Sequence, residues 1–325
     1  FYLKSLSFNE ELKDTSNMGY NYFNIGIIYR DLEEFDKAKE YYENALKLKG
    51  TYATAINNLG VVYERQGKYH KAELQYLRAK EIDDESSDAY KNLGDLYRDR
   101  GNIQKAISYY DKALERDSTH VYTYYSYSDL LNDHNIDSKK AEELLVKAID
   151  LEPYFSRGHA QYADYLRRFP KGESSLIKAE SLYDFAIKND PFYSWAYAGR
   201  GWLYHKQKKS EEALASFNEG IKNNSSKPRP YYYLATYYKN GLKNEEKAIE
   251  YYLKTLEKDA YFLPAYQDLI NLYNRNKEYD KSLAIIENIL HLRIICQSNF
   301  HLIKLIPHLI NIYHCPISLN NSLPY

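Results

Sequence analysis

Residues 58–63 read NLGVVY, residues 24–29 read NIGIIY and residues 92–97 read NLGDLY, so one hexad recurs at a fixed interval of 34 residues. A period of that length restricts a chain to architectures that copy and stack a small supersecondary unit. The agreement extends past the hexad. Gly26 and Tyr29 are followed by Ala38, Tyr42 and Ala45; Gly60 and Tyr63 by Ala72, Tyr76 and Ala79; Gly94 and Tyr97 by Ala106, Tyr110 and Ala113.

The spacing within a unit selects helix over strand. A bulky residue (Tyr22, Ile56, Tyr90) stands three before the central Leu or Ile of each hexad. Intervals of three and four place such residues on one helical stripe, whereas a strand would alternate them between faces. Short polar stretches, "DLEEFD", "RQGKYH" and "DRGNIQ", separate the two apolar blocks. Each unit is therefore predicted to be a pair of amphipathic helices joined by a tight turn. Only 13 Gly and 9 Pro occur in 325 residues, which leaves few turn signals for an all-β fold. Gly26, Gly60 and Gly94 are predicted to let the first helix approach the second, opposite Ala38, Ala72 and Ala106. Aromatic residues then fill the space between hairpins, none of which can bury its stripe alone.

This pattern of a bulky residue, Leu-Gly, Tyr, Ala, aromatic and Ala resembles the tetratricopeptide repeat family. The resemblance implies an all-α, right-handed superhelical solenoid. Eight units are expected, at 19–52, 53–86, 87–120, 121–155, 156–193, 194–227, 228–262 and 263–296. "FYLKSL" at the start is similar to "YYLKTL" at 251–256, so residues 1–18 read as the remnant of an earlier repeat with its linker. That reading, and an opening on Phe1, imply a native protein that is longer at its N-terminus. Residues 297–325 are out of register and apolar, and no Asp or Glu occurs from 288 onward. A final capping helix or a non-native extension accounts for this tail better than a membrane contact, because Lys304 and Pro307 interrupt it.

Composition narrows the functional classes. A net charge of −1 gives no basis for bulk attraction to nucleic acid. No run of 18 apolar residues exists, so no membrane span is expected. The two cysteines, Cys296 and Cys315, form no CxxC, in keeping with a reducing, cytoplasmic setting. No GxSxG, HExxH or Gly-rich phosphate loop appears. The reading is of a non-enzymatic chain without cofactor, catalytic residue or metal site.

The resemblance also implies where a partner binds, because first helices of successive units line a concave groove in this family. Groove candidates are Asn24, Asn58, Asn92, Asp95, Asp129, Arg167, Arg168, Trp195, Trp202 and Lys206. The three asparagines form the start of an amide ladder that could hydrogen-bond a peptide backbone. Trp195 and Trp202, two helical turns apart, suit an exposed hot spot. Lys91 matches the first lysine of the carboxylate clamp in chaperone-binding members, but Asp95 stands where that clamp needs Asn, which argues against chaperone tails. The expected role is a protein-interaction scaffold that binds a protein or peptide partner and can belong to a multiprotein complex. Two alternatives stay open: the substrate-recruiting arm of a larger enzyme, as in glycosyltransferase-containing members, and a subunit of a large assembly such as a ciliary-transport or ubiquitin-ligase complex.

Overall fold

The computed structural model describes Tyr2, Lys4, Ser5 and residues 14–295, with side chains to residue 289; the apolar tail at 297–325 lies outside the described residues. Over this range the chain forms sixteen helices, and no strand occurs among the described residues. They are α1 (Thr15–Asp31), α2 (Phe35–Leu48), α3 (Ala53–Arg65), α4 (Tyr69–Ile82), α5 (Ser87–Asp99), α6 (Ile103–Arg116), α7 (Val121–Asp133) and α8 (Ser138–Leu151). The series continues with α9 (Ser156–Arg168), α10 (Glu173–Asn189), α11 (Ser194–Lys206), α12 (Ser210–Asn223), α13 (Pro228–Asn240), α14 (Glu245–Lys258), α15 (Leu263–Arg275) and α16 (Tyr279–Ile295).

Odd-numbered helices are the first members of hairpins and even-numbered helices the second. The two helices of a hairpin pack along their length, and the second leans on the first helix of the next hairpin. Successive first helices also approach one another from α1–α3 through α11–α13, while second helices do not pack on one another to a similar degree. The first helices therefore occupy the inner side of the stack. They carry whatever the groove presents.

The hexad glycines do sit at the helix–helix contact, but alanine is not what faces them. A Cβ built on Gly60 or Gly94 would lie 2.5 Å from Cε1 of Tyr76 or Tyr110, and one on Gly26 would lie 2.7 Å from that of Tyr42. The tyrosine ring of the second helix is thus laid flat over the glycine of the first. Ala38, Ala72 and Ala106 are themselves fully buried, but they are not the groups that require glycine. Tyr42, Tyr76 and Tyr110 are completely enclosed, and burial raises all three phenols well above their ordinary range.

The Tyr that ends the hexad has two tasks. Its carbonyl closes the turn: Lys68 N donates to Tyr63 O at 2.8 Å while Gly67 N donates to Glu64 O at 2.8 Å. This is the Schellman arrangement, which needs a left-handed residue between the helices. The same pair of bonds recurs at Tyr29, Tyr97, Tyr204 and Tyr273. The left-handed position is Gly67 or Gly101 in two hairpins but Glu33, Asn135, Lys208, Lys243 and Lys277 in five others. The ring of the hexad Tyr, meanwhile, lies beneath a lysine that immediately precedes the repeated Ala, or Ser282 in the last unit. Lys37 lies 5.0 Å from the Tyr29 ring, Lys71 5.7 Å from Tyr63, Lys105 4.0 Å from Tyr97 and Lys281 5.6 Å from Tyr273. Each such cation–π contact contributes about 0.5–1 kcal/mol at a partly exposed site.

A second tyrosine position joins one hairpin to the next. Tyr124, Tyr197, Tyr231 and Tyr266 each donate from Oη to the carbonyl six residues earlier, at 3.0, 3.2, 3.1 and 3.0 Å respectively. The accepting carbonyls lie in the linkers between hairpins. This gives a reason for tyrosine over phenylalanine at four of the 38 tyrosines: the hydroxyl satisfies a linker carbonyl that phenylalanine would leave without a partner.

Candidate functional site

On the inner side of the stack, α7, α9, α11 and α13 come together around a concavity. A cleft of about 370 Å³ opens there, and its floor is made by Tyr125, Asp129 and Asn132 of α7 with Gln161 of α9. Tyr122, Arg157 and Arg168 form part of its sides, and Tyr193, Trp195, Arg229 and Tyr233 its far wall. A neighbouring cleft of about 190 Å³ is lined by Asp164, Arg167, Trp195, Trp202 and Tyr233. The helices place these groups because a first helix exposes to the groove the residues that are not on its apolar stripe.

Asp129 is the centre of the larger cleft. Gln161 Nε2 donates to its Oδ2 at 2.6 Å, and among the described residues no Lys or Arg forms an ion pair with it. The neighbouring acids, by contrast, are paired: Asp133 with Arg168 at 3.0 Å, and Asp164 with Arg167. Burial, reinforced by the charges of Asp133 and Asp164, pushes the Asp129 carboxyl up to about 7, against the pull of Arg98 and the Gln161 amide. Around it several polar atoms have no hydrogen-bond partner. Tyr125 Oη, Asn132 Oδ1 and Gln161 Oε1 are all buried and unsatisfied, although Tyr125 is only 4% and Asn132 only 6% exposed. Leaving such atoms unpaired costs about 1–3 kcal/mol each, so their grouping in one cleft is unusual for a purely structural surface.

The candidates expected from sequence divide into those the fold brings together and those it does not. Asp129, Arg168 and Trp195 share the larger cleft; Arg167, Trp195 and Trp202 share the smaller one. Lys206 lies at the edge, its Nζ donating to the Arg167 carbonyl at 2.7 Å. Asp95 is engaged elsewhere. Burial by itself would raise its carboxyl, but the Lys91 ammonium at 2.6 Å, the Arg98 guanidinium and the Tyr110 hydroxyl outweigh it and hold the group below the usual carboxylate range. Lys91 is thereby paired within its own helix.

The three asparagines do not present a uniform ladder. Asn24 Nδ2 donates to the carbonyl of Tyr20 at 2.9 Å, Asn58 Oδ1 accepts from Arg30 at 3.2 Å, and Asn92 Nδ2 donates to Asn57 Oδ1 at 3.1 Å. Two of these bonds tie one first helix to the next. The tryptophan pair is also split. Trp195 is 38% exposed and lies edge-on to Tyr233 at 5.6 Å. Trp202 is only partly exposed and packs edge-on against Tyr237 at 5.3 Å and Phe217 at 6.1 Å. Asn132 and Tyr193 were not singled out by sequence reasoning. Tyr193 stands just before α11 as Phe155 stands before α9 and Phe262 before α15, and nothing in the periodicity distinguishes the groove-facing member.

Two tetratricopeptide repeat family models match the chain, one over residues 15–85 and 51–119 and the other over residues 182–215. Together with the paired helices, they decide the family. This is a tetratricopeptide repeat protein. Solved structures agree in fold. The array is similar to a tetratricopeptide repeat protein of Parabacteroides merdae, with 18% identity and a TM-score of 0.58 over 78% of this chain and 98% of that one. It is also similar to a monomeric mutant of IFIT1 with Gppp-AAAA, with 14% identity and a TM-score of 0.60 over 90% of this chain and 76% of that one. A third likeness is to pilF of Pseudomonas aeruginosa, with 20% identity and a TM-score of 0.50 over 68% of this chain and 98% of that one. No curated protein matches this tetratricopeptide array in sequence. Membership supports the general role of a protein-interaction scaffold, and the fold is typically that of a non-enzymatic one. Among the described residues no helix is long and apolar enough to cross a membrane, and no group of acids, histidines or cysteines could hold a metal ion.

Proposed function

We propose that this tetratricopeptide array works as a cytoplasmic scaffold that holds an extended peptide segment of a partner protein in the groove formed by its first helices, with α7 to α13 as the principal contact. The observation that carries the reading is the cleft at Asp129, where buried polar atoms without partners meet an exposed tryptophan on the inner face. A peptide supplies both amide groups for the former and side chains for the latter. Charged groups at the rim, Arg157 and Arg229, pair with no acid among the described residues and would steer an oppositely charged segment.

One observation favours a second reading. Tyr154, Phe192 and Tyr261 are exposed and each stands two residues before a first helix, along the edge of the stack. A row of this kind suits a subunit that docks by its edge in a larger assembly. Affinity purification from extract of the source cells, with the full chain as bait beside Trp195→Ala/Arg229→Ala and Tyr154→Ala/Phe192→Ala versions, separates the two. A partner lost only by the first variant supports the groove; a partner lost only by the second moves the assembly reading ahead.

A further inference from the structure

We propose that the floor of the cleft between α7 and α9 is a recognition pocket for a basic side chain, an arginine or lysine of the bound peptide, which forms an ion pair with Asp129 and donates to the carbonyl oxygens of Asn132 and Gln161. The proposal rests on the groove reading and adds the chemistry of the residue that would anchor the ligand.

The polarity of the floor carries the argument. Gln161 donates its amide to Asp129, which leaves its Oε1 as a free acceptor beside that carboxylate. Asn132 contributes a second unpartnered carbonyl oxygen from a side chain that is 94% enclosed, since its exposure is 6%. Every one of these groups accepts, and a guanidinium or ammonium only donates. An anion would find donors there only in the Tyr125 hydroxyl and the amide N–H groups, while Arg157 and Arg229 also line the cleft. The nearby cations do not neutralise the floor: Arg168 is bound to Asp133 and to the backbone carbonyl of Asn132, Arg167 to Asp164, and Lys91 to Asp95.

The walls suit the same occupant. Tyr122, Tyr193, Trp195 and Tyr233 enclose the approach with aromatic rings, which favour a cation over their faces and pack against the apolar stem of Arg or Lys. Arg157 and Arg229 at the rim would then face the neighbouring positions of the peptide, so an acidic residue beside the basic one is the matching pattern.

The test uses a phage-displayed library of random twelve-residue peptides selected on the full chain. A selected peptide is then synthesised with its basic residue intact and with citrulline or norleucine in its place. Both are titrated against the wild type and against Asp129→Asn, whose folding is checked by circular dichroism. The expected result is a Lys or Arg at one fixed position, a loss of tenfold or more on neutralising it for the wild type, and a loss of less than threefold for Asp129→Asn. Selected peptides without a basic residue in common, or an equal loss on both proteins, would overturn the pocket while leaving the groove. No selected peptide at all would count against the groove and, with it, the pocket.

Discussion

A single glycine shows how little tolerance the hairpin contact has. The ring of Tyr76 lies where a Cβ of residue 60 would be, 2.5 Å from its Cε1, and it is anchored by a hydrogen bond of 2.7 Å to Glu64. Gly60→Ala is therefore expected to lower stability by about 1–3 kcal/mol, and Gly60→Leu by more, as overpacking does elsewhere. Gly50→Ala is the control, since its added carbon would come no nearer than 3.8 Å to the Leu46 carbonyl. Urea midpoints of the three variants check this, and an unchanged midpoint for Gly60→Ala would mean that the ring gives way freely. The spacing of the hexad located this contact but assigned its partner to alanine. Ala72 and Tyr76 lie one turn apart on the same face of α4, so periodicity could not tell which of them covers the glycine; the size of the ring decides it.

Asp129 carries a prediction about pH. Its folded-state value, up to about 7, lies above the 3.8 expected in the unfolded chain. Between those values the unfolded chain has lost the proton and the folded one keeps it, so stability falls as pH rises from about 4 to 7 and then levels off. A displacement of that size corresponds to roughly 4 kcal/mol before relaxation. Asp129→Asn is thus expected to gain stability on the wild type by on the order of 1–3 kcal/mol between pH 4.5 and pH 8. Denaturation at the two pH values measures it; a constant difference would place Asp129 in a more polar setting than its contacts indicate. Its neighbours in this titration are Asp133 on the same helix, Arg98 on α5, Asp164, Arg157 and Arg168 on α9, Tyr193 before α11 and Arg229 on α13.

At the level of the helix and its turn, the repeated Schellman closure separates what composition reveals from what only backbone geometry reveals. "RQGKYH" and "DRGNIQ" carry their left-handed glycine in plain view. The equivalent residues Glu33, Lys208 and Lys277 adopt φ of 60, 63 and 60° without that advantage. A left-handed non-glycine residue costs roughly 1–2 kcal/mol, part of which glycine returns as chain entropy in the unfolded state. Lys208→Gly and Lys277→Gly are each expected to raise stability by about 0.5–1 kcal/mol, read as a higher thermal midpoint. A fall in the midpoint would show that the lysine side chains contribute more than the strain removes. The same limit hides the linker tyrosines. A Tyr and a Phe fit the helical stripe equally well, and only the carbonyl six residues back explains the choice of Tyr124 or Tyr266.

Across the whole array the buried side chains form more than one cluster. The largest extends from Ala72 to Leu203, and a second from Ala198 to Ile289, with α11 contributing to both. Nearest-neighbour stacking makes stability a sum of local terms, so such a division is expected to appear in local unfolding. Amides of α13 to α15 should exchange hydrogen as one set, with an opening free energy distinct from that of α5 to α9. A single value for all of them would argue that α11 transmits packing without interruption. The division also explains why the cleft was harder to read than the fold. Fold depends on contacts repeated every hairpin and so leaves a periodic trace. Asp129, Gln161, Trp195 and Tyr233 come from four different units, and their meeting depends on how those units are stacked, for which no single repeat holds a signal.

The inner helices approach one another from α1–α3 through α11–α13 more closely than the outer ones do, and this has a mechanical consequence. A bent body whose contacts are closer on one side has its line of nearly constant length towards that side. Flexing will fan the outer helices open and closed while the spacing along the inner rail stays nearly fixed. A segment lying on that rail would keep its register with the side chains beneath it even as the array coils and uncoils around it.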